Sequence, residues 1–501
     1  MIKDLVPVPD PESCCEQLAG LPYRLFLDSA ARDSRLGRYS FLAADPIAII
    51  RSKAKRTELV EFEPGRVSKI AGDALAPVRT LLAPHTTVPI PGLPPFQGGA
   101  AGYLAYDWGR SLERLPEPRD DDLMLPDVVL GIYDWVIAWD HALNRAWLMS
   151  TGLPEVVPSA RDARAAQRAD LVFARLNGAP IARLNGAPSR LRPTTAEELD
   201  FVSRRGSAPR HAVTQGWWRS DLQLCSSFSH EGYVDAVNRA REYIFAGDIF
   251  QANLSQRFES RLVDSPWAFY RRLRRRNPAP FAAFLDFPEA SILSASPERF
   301  LRVDSDGHVE TRPIKGTRPR GFGPEHDGAL GQALRESEKD RAENLMIVDL
   351  MRNDLSRVCR PGTIRVPELF ALEHYPDVHH LVSTVTGVLD GDHDVADLLR
   401  ASFPGGSVTG APKIRAMEII AELEPTARGV YCGAIGYWSL TGAIDMNIPI
   451  RTAVVRDENI YFSAGGAVVA DSDPEQEYRE TLDKARAIID ALDGACREHS
   501  R

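Results

Sequence analysis

The sequence predicts an α+β or layered α/β fold built on antiparallel sheets. Three observations carry this. Strand-like and helix-like stretches come in mixed order instead of strict alternation. The strand candidates near the C-terminus are joined by turns too short for a parallel crossover. A chain of 501 residues with 44% hydrophobic and 26% charged side chains has a globular composition, and its length suits two or three domains.

The first part mixes short apolar runs with polar loops and proline-rich turns. "RLFLDSAARDSRLGRYSFLAADP" (24–46) reads as strand, loop, strand. "VPIPGLPPFQGGAAGYLAYDWG" (88–109) carries glycines that suit tight turns or close backbone approach. "ARLNGAPIARLNGAP" (174–188) copies an eight-residue unit once, too little for a solenoid, and reads as a surface linker. The expected organisation is an N-terminal lobe over 1–170, a linker over 171–222 and a catalytic domain over 223–495.

From residue 229 the periodicity sharpens. Ser229 caps a helix whose apolar residues include Tyr233, Val237, Tyr243 and Ile244, ending near Gly247. Strands follow at 249–258, 279–287 and 290–300. Ser337 caps a long helix over 337–358. In 443–455, Ile444, Met446, Ile448 and Ile450 take one face, and Asp445, Asn447 and Arg451 the other. With 432–440 and 460–469 this reads as a three-stranded meander. Asp473 caps the last helix, with Pro474 at its first position.

Several classes are disfavoured. A net charge of −9 argues against a general nucleic-acid binder. No apolar run approaches the about 18 residues of a membrane span. "MIKDLVPVPD" lacks the apolar core of a signal peptide, so a cytoplasmic protein is expected. The six cysteines form no C-x-x-C pair and read as buried thiols.

Three constellations could carry chemistry. Asp340 and Glu343 share one helical face, as do Glu477 and Glu480. These acids either hold a hard dication such as Mg²⁺ or form a solvated face near a helix start. "FPGGSVTGAPK" (403–413) has the glycine gap of a phosphate loop, but Ala411 and Pro412 follow Gly410 where Lys-Ser/Thr is required. It reads instead as a glycine-rich turn opening a helix. "TRPIKGTRPR" (311–320) gathers Arg312, Lys315, Arg318 and Arg320. It is either a solvated cationic loop or a cavity where burial and like charge make Lys315 partly neutral, hence nucleophilic. Glu298 is a possible partner acid. No G-x-S-x-G, H-E-x-x-H or glutaminase-like cysteine is present.

From about 225 to 492 the chain resembles the chorismate-utilising enzymes. "FQANLSQRF", "SPERFL", "TRPIKGTRPRG", "KDRAENLMIVDLMRNDL", "HHLVSTVTG", "FPGGSVTGAPKIRAMEII", "CGAIGYWS", "IRTAVV" and "SAGGAVVADSDPEQEYRETLDKA" carry the resemblance. "FLDSA", "GRYSFL" and "GGAAGYLAYD" extend it more loosely to the N-terminal part. The implied fold is one large sandwich of antiparallel sheets flanked by helices. Gln251 stands where water-adding members carry a lysine base, which implies ammonia as nucleophile. Lys315 stands where makers of anthranilate, isochorismate and salicylate usually carry alanine. Lysine there marks members that make 4-amino-4-deoxychorismate, a precursor of p-aminobenzoate and folate.

The resemblance further implies that Lys315 attacks the ring and Glu298 acts as general acid. It implies Mg²⁺ on Glu343 and Glu480, with Glu477 close by. Substrate contacts fall on Gln251, His380, Ser407, Tyr431, Arg451, Gly465 and Lys484. It also implies a separate glutamine amidotransferase subunit, and a tryptophan site through Ser29, Arg38, Tyr39 and Ser40. Two alternatives stand beside this: an anthranilate-forming subunit that tolerates Lys315, and a silent homologue that binds tryptophan or a partner.

Overall fold

The computed structural model describes the chain except residues 33–34, 64, 180–207, 215, 219–221, 376–377 and 500–501, and the side chains of 495–499. Most of the tandem repeat therefore lies outside the described residues. The first residues of the expected linker continue the helix Pro158–Leu176, and His211–Ala212 pairs with Cys225–Ser226.

Two large sheets dominate, and their ladders are antiparallel throughout. One runs from Ile2–Asp4 through the N-terminal strands to Arg24–Asp28, then Phe281–Asp286, Ser291–Ser296, Thr452–Arg456, Asn459–Val468 and Gln251–Arg261. The other starts with Ile314–Pro319 and Val378–Val388. It passes through Arg299–Val303, Ile444–Asn447 and Ala434–Ser439, and ends in the N-terminal strands Gly99–Leu104, Val128–Tyr133, Ala48–Lys53, Arg56–Glu61 and Arg66–Ala71. Each sheet thus joins early chain to late chain, at Arg24–Asp28 against Phe281–Asp286 and at Gly99–Leu104 against Ala434–Ser439.

Alternating side chains explain the layers. Leu25, Phe41, Val136, Leu285 and Ile292 of the first sheet meet Ile49, Tyr103, Val129, Ile435 and Tyr437 of the second in one buried cluster. The opposite face of the first sheet is covered by helices, the last of which buries Leu482, Ala485, Ile488 and Ile489. The opposite face of the second is covered by Ile347, Val348 and Met351 of the helix Glu338–Ser356, and by Leu398 and Leu399 of Val395–Ser402. Covering both outer faces buries every position of central strands such as Val128–Tyr133 and Ser291–Ser296.

Helix starts follow the expected chemistry. Ser229 accepts from the Gly232 N–H and Ser337 from the Asp340 N–H. Asp473 Oδ1 accepts from the Gln476 N–H at 2.9 Å. The last helix runs on to His499.

Two expected strands need correction. Residues 290–300 form Ser291–Ser296 in the first sheet and Arg299–Val303 in the second, with the chain crossing between them at Pro297 and Glu298. Residues 443–455 likewise split into Ile444–Asn447 in the second sheet and Thr452–Arg456 in the first. The expected meander is therefore two hairpins in different layers. Period-two alternation does not register this, because it continues through Ile448 and Ile450 as the chain changes sheet. Asn447, expected on a polar face, is buried and donates to the Phe281 carbonyl at 2.8 Å. The crossings lie side by side: Ser296 Oγ donates to the Ile448 carbonyl at 2.6 Å, and the Ile448 N–H to the Glu298 carbonyl at 3.0 Å.

No described helix is long and apolar enough to cross a membrane.

Candidate active site

The cationic stretch is not a solvated loop. Residues Ile314–Pro319 form the edge strand of the second sheet, paired with Val378–Val388. Its arginines are each engaged elsewhere. Buried Arg312 reaches Glu368 and Glu373 and donates to Thr384. Arg318 bonds Asp340 at 2.9 Å, which takes Asp340 out of the acid set facing the site. Arg320 grips both oxygens of Asp327 at 2.7 Å.

Lys315 is left without an ion-pair partner among the described residues, at 9% exposure. Burial pushes its pKa down from the ordinary lysine value, and Lys484 adds to this, while Glu343, Glu298 and Glu480 oppose it. The expectation that arginine neighbours depress it is corrected: the like charge is Lys484. Gly316, at φ +86°, lets the strand turn where an added Cβ would press on Leu334 and Asp340.

Glu298 sits at the crossing between the sheets. The Ile314 N–H, one residue before Lys315, donates to its Oε1 at 3.3 Å. Burial raises its pKa to about 7, against the stabilising effects of Ser407, the Ile314 N–H, Lys315 and Lys484. The Ser407 hydroxyl faces this carboxyl without completing a well-formed hydrogen bond, and is otherwise unpartnered. A buried acid with its pKa raised to about 7 thus stands beside a lysine with its pKa lowered, the arrangement that suits proton transfer paired with nucleophilic attack.

Glu343 and Glu480 face Lys315 from different helices, and Glu477 stands beside Glu480. Glu343 projects from Glu338–Ser356, which packs on the strand of Lys315; Glu477 and Glu480 project from the last helix, which packs on Asn459–Val468. Burial raises the pKa of Glu343, and its neighbours include Lys315, Lys339 and Glu480. Burial and then Glu480 raise that of Glu477. Burial opposes ionisation of Glu480, but Lys484 at 2.6 Å together with Lys339 and Lys315 outweighs it and lowers the pKa. Glu480 and Lys484 keep 47% and 44% of their side chains accessible, so solvent reaches this pair.

The residues fit a divalent cation. Ser472 satisfies one oxygen of Glu477 at 2.7 Å, and the other oxygen is buried with no partner. An orphaned carboxylate oxygen beside two more acids is a ready ligand set. The glutamates are not drawn tightly together. Among the described residues, the His, Cys, Asp or Glu donors that converge within 4.8 Å belong to the turn residues Asp304, Asp306 and His308.

The remaining expected contact residues are mostly buried. Gln251 is fully buried at the start of Gln251–Arg261, and both polar atoms of its amide lack partners. His380 is buried with its pKa lowered to about 3 by burial and then by Arg451; Thr317 meets its Nδ1 at 2.9 Å and its Nε2 is unpartnered. Arg451 lies in the second crossing at φ +50°, not on a strand face, and donates to Asn277 at 3.4 Å. Lys484 donates to the Gly465 carbonyl at 2.8 Å. Gly465 has no room for a side chain, since an added Cβ would stand 2.4 Å from the Leu254 carbonyl oxygen. Tyr431 is buried beside Arg428.

Ser29, Arg38, Tyr39 and Ser40 form a separate cluster in the first sheet. Ser29 donates to the Tyr39 carbonyl at 2.6 Å, its N–H bonds Ser40 Oγ at 3.1 Å, and Arg38 pairs with Asp140 at 2.7 Å.

Comparison with known proteins identifies the family. Residues 23–490 match the model of the chorismate binding enzymes. The chain belongs to that family. Within it, the chain is 42% identical over 479 residues to aminodeoxychorismate synthase component 1 of Klebsiella aerogenes, with 95% of each chain covered. It is 44% identical over 406 residues to anthranilate synthase component 1 of Thermus thermophilus, covering 81% of this chain and 79% of that one. Among solved structures, anthranilate synthase component I of Streptococcus pneumoniae gives a TM-score of 0.72 at 32% identity, covering 91% and 93%. Sequence reasoning missed Lys339, which faces all three glutamates, and Arg428. Only the Glu424/Arg428 four-residue spacing could have pointed to the latter.

Proposed function

We propose that this chain is the chorismate-aminating subunit of an aminodeoxychorismate synthase, converting chorismate and ammonia to 4-amino-4-deoxychorismate for p-aminobenzoate and folate. The observation that carries this is Lys315: buried, without an ion-pair partner among the described residues, its pKa lowered, beside a Glu298 whose pKa is raised to about 7.

Neutral Lys315 attacks C2 of the ring. The N–C2 bond forms, the ring double bonds shift, and the C4–oxygen bond breaks. Glu298 delivers its proton to the departing hydroxyl, which leaves as water. Ammonia then bonds to C4, the double bonds shift back, and the C2–nitrogen bond breaks to return Lys315. The proton lost by the added nitrogen replaces the one Glu298 gave. Two easier displacements stand in for one hard one. Gln251 is neutral and, unlike lysine, cannot activate water, which leaves ammonia as the nucleophile. Arg451 and Lys484 supply positive charge for the carboxylates. Glu343, Glu477 and Glu480 would hold Mg²⁺, which when bound screens the ring carboxylate from these acids.

Ammonia comes from a glutamine amidotransferase subunit. Cys14, Cys15 and Cys432 are buried with thiol pKa values pushed up to about 12, and Cys359 to about 11, the opposite of an activated nucleophile. Ser29, Arg38, Tyr39 and Ser40 would flank tryptophan, as a structural ligand, if this chain binds it.

Incubation with chorismate, Mg²⁺ and ammonium tests the reading. The expected product is non-fluorescent 4-amino-4-deoxychorismate, identified by mass. Fluorescent anthranilate formed without a lyase would favour the second reading, an anthranilate synthase subunit, which the Thermus relative supports.

A further inference from the structure

One buried guanidinium touches three of the segments that carry proposed substrate contacts. Arg428 lies behind the site, with its side chain 3% exposed. Its Nη1 donates to the Val408 carbonyl at 2.9 Å, one residue after Ser407. Its Nη2 donates to the Asn253 carbonyl, two residues after Gln251 on the same strand face. Its plane lies 5.9 Å from the ring centre of Tyr431 and 4.5 Å from that of Tyr106. Glu424 closes the cluster, accepting from Arg428 Nε at 2.9 Å and Nη2 at 2.7 Å, and from the Ser255 N–H and hydroxyl at 2.8 Å.

These three segments come from different parts of the chain: a strand of the first sheet, the glycine-rich turn and the approach to Ala434–Ser439. Among the described residues, Arg428 is the side chain that bonds or stacks with all three. We propose that Arg428 is a positioning residue for the substrate cleft, fixing Gln251, Ser407 and Tyr431 relative to one another while Glu424 holds its fork in register. Only arginine suits this role. Its planar group offers five N–H donors in a fixed geometry and stacks on aromatic faces, whereas a lysine amine is a point donor. Burial disfavours its charge, yet Glu424 keeps its pKa well above the ordinary value, so the group stays cationic. The inference rests on the reading that the three neighbouring residues face chorismate.

The test compares Arg428→Lys and Arg428→Gln with the parent, using chorismate binding by calorimetry together with ammonium-supported kinetics. Arg428→Lys keeps a cation opposite Glu424 and carries the test if Arg428→Gln fails to fold. A merely structural role lowers the fraction of active protein and leaves the KM of that fraction unchanged. A positioning role weakens chorismate binding and raises its KM at least tenfold in folded Arg428→Lys. It also moves the descending limb of the pH profile, because Ser407 no longer faces Glu298 as before. Folded Arg428→Lys with parental KM, chorismate affinity and pH profile would overturn the proposal. A parent that does not bind chorismate would instead defeat the functional reading on which it rests.

Discussion

Lys315→Ala is expected to reduce amination of chorismate on the order of 10³-fold or more, the scale seen when a nucleophile is removed and only binding and electrostatics remain. Chorismate binding should survive, because Arg451, Lys484 and the three glutamates are untouched. Lys315→Arg should fare little better. An arginine at this site keeps its proton, so it cannot supply the lone pair that attacks C2. Stopped assays with ammonium, with binding measured separately, check both variants. The parent enzyme, quenched during turnover and examined by intact mass, should carry a ring adduct that the alanine variant lacks. Near-parental amination by Lys315→Ala would remove the covalent route and leave direct displacement by ammonia.

Glu298→Gln carries the second large effect, on the order of 10²–10⁴-fold in rate, as for loss of a general acid. The pH dependence gives a sharper check. Burial raises the Glu298 pKa to about 7, so the acid form is present below that value and is lost as pH rises through it. The parent should show a falling limb near neutrality that Glu298→Gln lacks. Parent stability should fall over the same pH range. The folded state holds this proton more tightly than the unfolded chain, whose carboxyl has its ordinary lower pKa. The parent therefore loses stability as pH rises from the ordinary glutamate range through about 7. A neutral glutamine avoids the ionised, buried carboxylate, so the variant should melt higher than the parent at pH 8. Thermal denaturation at pH 5 and pH 8 reads this directly. A site that trades stability for chemistry behaves in this way.

What the sequence disclosed depended on how local each cause was. Ser337 and Ser229 cap helices through N–H groups three residues away, and the one-dimensional pattern contains both partners. The antiparallel character followed from short turns in the same way. The assignment of strands to layers did not. Ile444, Met446, Ile448 and Ile450 alternate without a break although Ile444 and Thr452 belong to different sheets. Which sheet a strand joins is set by distant partners, Val303 for Ile444 and Ser294 for Thr452, each more than 100 residues away. The lone status of Lys315 was equally hidden, because it follows from Arg312, Arg318 and Arg320 each finding an acid on another element. Spacing left the acids on Glu338–Ser356 and on the last helix indistinguishable from solvated faces. Family resemblance pointed to Glu343, Glu477 and Glu480, and the fold faces them toward Lys315 and Lys484.

Both sheets are sewn from early and late chain, and this has a consequence for the way the molecule could be divided. A break anywhere in 180–207 would leave two pieces, each with two raw β-edges: Arg24–Asp28 and Gly99–Leu104 on one, Phe281–Asp286 and Ala434–Ser439 on the other. Neither piece owns a closed interior. Made singly, each would be drawn to whatever strand it met. Made together, they have a twofold set of mutually matched seams to zip along, so the peptide link between them could be dispensable for complementation even though no single half is a domain.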